Sequence, residues 1–116
     1  MGGVDVQPDP GAPGVVIAKV TGKLDHVGGV RLWSAATDRL DAATPSLIVD
    51  ITHVEPLTSA GIGTFARLYH RVQSLGGRMA IFGASPRART TIEAVLLAEI
   101  LGLSDSLEEA RGKVTS

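Results

Sequence analysis

The chain has 116 residues, enough for one compact domain and too few for a second core. Apolar residues make up 44% of it and aromatic residues only 3%, so Trp33, Phe65, Tyr69 and Phe82 are its only large rings, too few for a nucleic-acid stacking platform. A formal net charge of −1 gives no overall footprint for a polyanion, and the absence of cysteine excludes thiolate metal sites, catalytic thiols and disulfides.

In chain order, Met1 to Gly14 is rich in Gly and Pro, lacks the basic start and apolar stretch of a signal peptide, and reads as a flexible leader over 1–14. Val15 to Val20 is a β-branched run that predicts a strand, continuing through Leu24 with Gly22 at a bend or bulge. Asp25 to Gly29 breaks that strand, and Asp25 is a candidate N-cap. Val30, Trp33, Thr37 and Leu40 share one helical face, which predicts an amphipathic helix stopped by Thr44-Pro45.

Leu47 to Ile51 is the clearest strand, its continuous apolar character suited to a sheet covered on both sides. Thr52 to Leu57, with Pro56, reads as a loop. A second helix starts at Thr58-Ser59, with Ile62, Phe65, Ala66, Tyr69, Val72 and Leu75 at helical spacing and Gly76-Gly77 as its stop. Arg78 to Gly83 predicts another buried strand. Ser85-Pro86 starts a third helix that runs through Ile92, Val95, Leu96 and Glu99, and Ser106 to Ala110 forms a last helical element. Strands and helices alternate with short connections and end in a short tail, which implies a sheet with crossover helices. The sequence shows no apolar run near the ~18 residues of a membrane-spanning helix, and the economical class is a small soluble intracellular domain.

Thr58 and Ser59 place two hydroxyls at the start of a helix, where unpaired N–H groups and the macrodipole tolerate added negative charge. Either hydroxyl serves as an N-cap alone or as a site of modification. Gly61 and Gly63 leave the first turn bare for the approach of a partner's backbone. No nucleotide-binding glycine fingerprint is present. His26, His53 and His70 lack metal-ligand spacing, and no metal or cofactor is expected. Asp25, His53 and Ser59 form no hydrolase motif, since Leu57 stands where Gly-x-Ser-x-Gly needs a glycine, and no catalytic residue is assigned. Arg87 and Arg89, with Ser85, Thr90 and Thr91, are solvated charge or else a hold for an anion or an acidic partner surface.

Val49-Asp50-Ile51-Thr52-His53-Val54-Glu55-Pro56-Leu57-Thr58-Ser59-Ala60-Gly61-Ile62-Gly63 resembles the signature of STAS domains, in which Asp-Ser-Ser-Gly-Leu-Gly opens the helix after a hydrophobic strand. Val20-Thr21-Gly22-Lys23-Leu24-Asp25 resembles the family's Gly-Glu-Leu-Asp step. Gly77 to Gly83, Leu101-Gly102-Leu103 and Glu108-Glu109-Ala110 resemble its later elements in order. The resemblance implies a STAS domain over 15–113, with an α/β fold: a four- to five-stranded mixed sheet and helices mainly on one face.

Stand-alone members of this type are cytoplasmic, non-enzymatic anti-sigma factor antagonists. They bind an anti-sigma factor of the serine-kinase type and free a sigma factor, under control of phosphorylation at the helix start and of a phosphatase. Ser59 falls on the phosphorylated position, with Thr58 a rival acceptor because it stands where the family has Asp. Ala60 replaces the family's second serine. The resemblance implies a docking edge of Asp25, His26, Thr58, Ser59, Ala60, Gly61, Ile62 and Ser85. A subunit of a stress-signalling or transport assembly and a nucleotide-binding module are the alternative readings, and nucleic acid is not an expected partner.

Overall fold

A computed structural model describes residues 2–95 and 100–115. The elements are β1 (Gly3–Pro8), β2 (Val15–Leu24), α1 (His26–Thr37), β3 (Ser46–Leu57), α2 (Ser59–Ser74), β4 (Met79–Phe82), α3 (Pro86–Ala94), β5 (Leu103–Ser104) and α4 (Leu107–Thr115). The five strands form one sheet in the order β1-β2-β3-β4-β5, with β1 antiparallel to β2 and every later pair parallel. Parallel neighbours need crossovers, which α1, α2 and α3 provide.

Strand alternation sorts the core into two layers. Val16, Ala18 and Val20 of β2, Leu47, Val49 and Ile51 of β3, and Met79 and Ile81 of β4 pack with Leu32 and Ala36 of α1, Ile62, Phe65, Leu68 and Val72 of α2, and Ile92 of α3. The intervening residues Val15, Ile48 and Ala80 form a smaller layer with Ala110 and Val114 of α4. Among the described residues, helices therefore lie mainly on one face, as the resemblance implied, with α4 on the other.

The segment read as a flexible leader instead supplies an edge strand. Gly3 to Pro8 pairs residue by residue with Thr21 back to Val16. Val4 and Val6 alternate inward, Val6 being buried, so the period-two pattern outweighs the Gly and Pro around it. Beyond the strand, the buried Asp9 carboxylate accepts two 2.8 Å bonds from the Arg111 guanidinium of α4 and one of 2.9 Å from the Gly11 N–H. The N-terminal segment is thus clamped to an element 102 residues away.

Other expectations shift. The loop read over 52–57 is strand: β3 runs on past Pro56, with His53 opposite Thr21, Val54 opposite Gly22 and Leu57 opposite Leu24. Gly22 does mark an irregularity, with φ +84° and register shifts on either side. α1 starts at His26, not Val30, and ends at Thr37, before Thr44-Pro45; its buried residues are Gly29, Leu32 and Ala36, while Val30 is exposed. Leu68 is a fully buried member of α2 that the face read from the sequence omits. α3 ends at Ala94 with Val95 as its C-cap; Leu96 and Glu99, expected to continue it, lie outside the described residues.

Two consequences are measurable. Phe65 is fully buried in the larger layer, so Phe65→Ala should lower the unfolding free energy in urea by about 3–5 kcal/mol. Hydrogen bonds from Arg111 hold the Asp9 carboxyl below its usual pKa, against the opposing effect of burial. A depressed folded pKa gives stability that is present above the unfolded value of about 4 and is lost as pH falls through the folded one. Asp9→Asn should therefore melt lower at neutral pH and lose less of its melting temperature on acidification than the parent chain.

Candidate functional site

Three helices begin where three parallel strands end, and each start is capped by a side chain. Asp25, directly after β2, accepts the Gly28 N–H at 2.9 Å. Thr58, directly after β3, accepts the Gly61 N–H at 3.4 Å, and Ser85, after β4, accepts the Ala88 N–H at 3.1 Å. The caps at Asp25 and Ser85 were legible locally, because Asp and Ser before an apolar periodic run are cap chemistry, whereas the sequence left Thr58 and Ser59 both open for α2.

The ends of β2 and β3 are joined at one point. The Leu24 carbonyl accepts both the Thr58 N–H, at 3.1 Å, and the Thr58 Oγ1–H, at 3.2 Å. Thr58 thus uses its hydroxyl as donor to β2 and as acceptor for α2, and it is only partly exposed. Ser59 is the first helical residue, exposed, with the capping already done by its neighbour. The two hydroxyls left open by the sequence have different situations: one is built into the fold and the other faces solvent.

The two glycines also separate. Gly61 is buried, and a side chain there would run into the Leu24 carbonyl and the Leu24 and Leu57 side chains. It serves the close packing of α2 on β2, not the approach of a partner. Gly63 is exposed and faces open space. Of the expected docking residues, His26, Ser59 and Ala60 are exposed, Asp25, Thr58 and Ser85 are half-buried, and Gly61 and Ile62 are inside.

Ser85 joins this rim through the extended end of β3. Val54, Glu55, Pro56, Leu57, Ser85, Arg87, Ala88 and Thr91 line a small cleft of about 50 Å³. Exposed Arg87 stands 3.7 Å from exposed Glu55 across it. On the other side of β3, a cleft of about 400 Å³ reaches from Gly3 and Val4 to Lys23, Asp25, Arg31 and Glu55. The Gly28 N–H holds the Asp25 carboxyl below its usual pKa, with burial opposing it.

A Ser–His–Asp set is not assembled here. His53 sits opposite Thr21, four strand positions, or about 13 Å, before Leu57, and the Asp25 carboxylate is committed to the Gly28 N–H. Among the described residues, no group of three His, Cys, Asp or Glu side chains stands together as a metal site, and no helix is long and apolar enough to cross a membrane.

Sequence reasoning missed the seam between α1 and α2. Gly28-Gly29, read as a strand break, lies in the first turns of α1, where a side chain on Gly29 would meet Thr64 of α2. Val27 and Val30 of α1 are exposed, Val27 lining with Arg31 the cleft that reaches Gly3 and Val4, and the Arg67 guanidinium of α2 lies 4.3 Å from the centroid of Trp33 of α1. The pair of adjacent glycines followed by Val and Trp was the available signal, since glycines on a helix face permit close helix approach.

A family model described as the STAS domain matches residues 8–110. The crystal structure of an anti-sigma factor antagonist from Mycobacterium paratuberculosis aligns over 100% of this chain and 96% of its own, with a TM-score of 0.85 and 24% identity. The Bacillus cell fate determinant SpoIIAA in its phosphorylated form aligns over 91% of this chain and 93% of its own, with a TM-score of 0.69 and 18% identity. A murine solute carrier 26 family anion transporter in its inward-facing state aligns over 94% of this chain but 21% of its own, with a TM-score of 0.74 and 17% identity. At these identities the likeness is one of fold.

The division of labour between the hydroxyls is testable by substitution. Thr58→Ala removes a cap and a bond to β2, and should cost about 1–2 kcal/mol in urea unfolding. Ser59→Ala should change stability by less than about 0.5 kcal/mol.

Proposed function

The chain belongs to the STAS domain family, and from that premise we propose that it is an anti-sigma factor antagonist switched by phosphorylation of Ser59. Unmodified, it binds a serine-kinase-type anti-sigma factor and releases a sigma factor. The kinase phosphorylates Ser59, the complex weakens, and a phosphatase restores the binding form. The protein acts as a binding module in the cytoplasm, with no chemistry of its own.

The observation that carries this reading is the exposed Ser59 hydroxyl at the first position of α2, beside a Thr58 whose hydroxyl is occupied. The likeness in fold to an anti-sigma factor antagonist and to a phosphorylated cell fate determinant supports it. Physical chemistry supports the form of the switch. A phosphoryl group adds roughly −1.5 to −2 charge, which a helix N-terminus accommodates without unfolding. The same charge in the middle of a docking rim imposes desolvation and repulsion on a complex. Thr58 as acceptor is disfavoured, because its modification would break the tie to Leu24 and expel the cap.

The test is binding of purified kinase-type anti-sigma factor to the parent chain, Ser59→Ala and Ser59→Asp, measured by calorimetry. Ser59→Ala should bind like the parent, and Ser59→Asp should bind about tenfold or more weakly. Equal affinity of all three forms would remove the switch.

A further inference from the structure

Between its two aspartate caps, Asp25 and Asp38, α1 carries basic residues and no acid, and so does α2, which Ser59 opens. α1 holds His26 and Arg31, and α2 holds Arg67, His70 and Arg71; neither contains an Asp or Glu. Their arginines give the pair a formal charge of +3, against −4 for the remainder of a chain whose total is −1. The near-neutral total therefore hides a separation of charge, and it is the local field that a partner meets.

The placement is outward. His26, Arg31, Arg67, His70 and Arg71 are all exposed. The same two helices expose apolar groups: Val27 and Val30, three positions apart on α1, are 56% and 49% exposed, with exposed Ala60 and bare Gly63 on α2. Arg67 reaches across the seam to lie over Trp33, so cation and apolar surface are continuous from one helix to the other. The carboxylates at its border are engaged or peripheral. Asp25 accepts the Gly28 N–H, Glu55 faces Arg87, and Asp38 lies at the far end of α1.

From this we infer that the α1–α2 face docks an acidic protein surface with an apolar centre, of the kind presented by a helix with Leu or Ile flanked by Glu and Asp. The valines supply desolvated contact area, and the arginines supply register and association rate. Nucleic acid fits less well, since Trp33, the aromatic on this face, is covered by Arg67 and offers no stacking surface. The inference rests on the proposed switch for its partner and adds to it a mechanism. A phosphoryl group on Ser59 adds roughly −1.5 to −2 charge to this face and repels the acidic surface that the unmodified face attracts.

The experiment is a titration of ¹⁵N-labelled protein with an amphipathic helical peptide of about 20 residues bearing a leucine stripe flanked by glutamates, alongside its lysine counterpart and single-stranded DNA of similar length. The glutamate peptide should shift the amides of Val27, Val30, Ala60 and Gly63. Its affinity should fall at least about fivefold between about 50 and 300 mM salt. The double variant Arg31→Glu, Arg71→Glu, at exposed positions and with an unchanged melting temperature, should bind at least about tenfold more weakly.

Equal binding of the lysine peptide, tighter binding of DNA, shifts elsewhere on the protein, or no binding at all would overturn the assignment. So would shifts of these amides with protein concentration alone, which would make a second copy the occupant. The two readings fail separately. Ser59→Asp binding the anti-sigma factor normally would sink the switch, whereas a charge-reversed chain binding peptide normally would sink the acidic partner.

Discussion

One carbonyl holds the rim of this molecule together. The Leu24 oxygen, at the last residue of β2, accepts both the backbone N–H and the hydroxyl of Thr58, which joins the end of one parallel strand to the end of the next. Thr58 must then begin α2, and its hydroxyl must point inward. Gly61 follows from the same constraint, because α2 rests so close to Leu24 that no side chain fits there. Ser59 is left as the first residue whose side chain owes nothing to the packing. The family's usual acidic residue at this position would cap the helix, and a threonine does the same while adding a donor for β2.

The sheet below makes the rim rigid. β3 is the central strand, fully buried from Leu47 to Val49 and covered on both faces, so α2 starts from a strand anchored in the core. Asp9 and Arg111 do comparable work at a distance, fastening the N-terminal edge strand and its turn to α4 on the opposite face of the sheet. The rim that carries Ser59 and the α4 side that completes the core are in this way separate, and a charge added at Ser59 has little of the core to disturb.

What was legible in the sequence was what local chemistry decides. Caps at Asp25 and Ser85, a hydroxyl cap at Thr58-Ser59, the buried run at Leu47 to Ile51 and the Gly76 stop all depend on a few adjacent residues. The misread parts depend on distant ones. β1 looks like a leader until β2 lies beside it, and only then do Val4 and Val6 find a core to face. Thr52 to Leu57 reads as a loop because of Pro56, yet β2 offers it partners as far as Leu24. α1 was begun too late, at Val30, because two glycines look like a break. Glycines at 28 and 29 are instead what lets α1 lie against the strand end and α2. The site was legible as a pair of hydroxyls, and choosing between them needed the position of Leu24. The separation of charge onto α1 and α2 was hidden by a total near zero.

The central claim is that Ser59, and not Thr58, receives the phosphate. It is tested most directly by incubating the protein with a kinase-type anti-sigma factor and ATP and mapping the modified residue by mass spectrometry. The account requires phosphate on Ser59, none on Thr58, and no incorporation into Ser59→Ala. Phosphate on Thr58, or none on either hydroxyl with an active kinase, would contradict it.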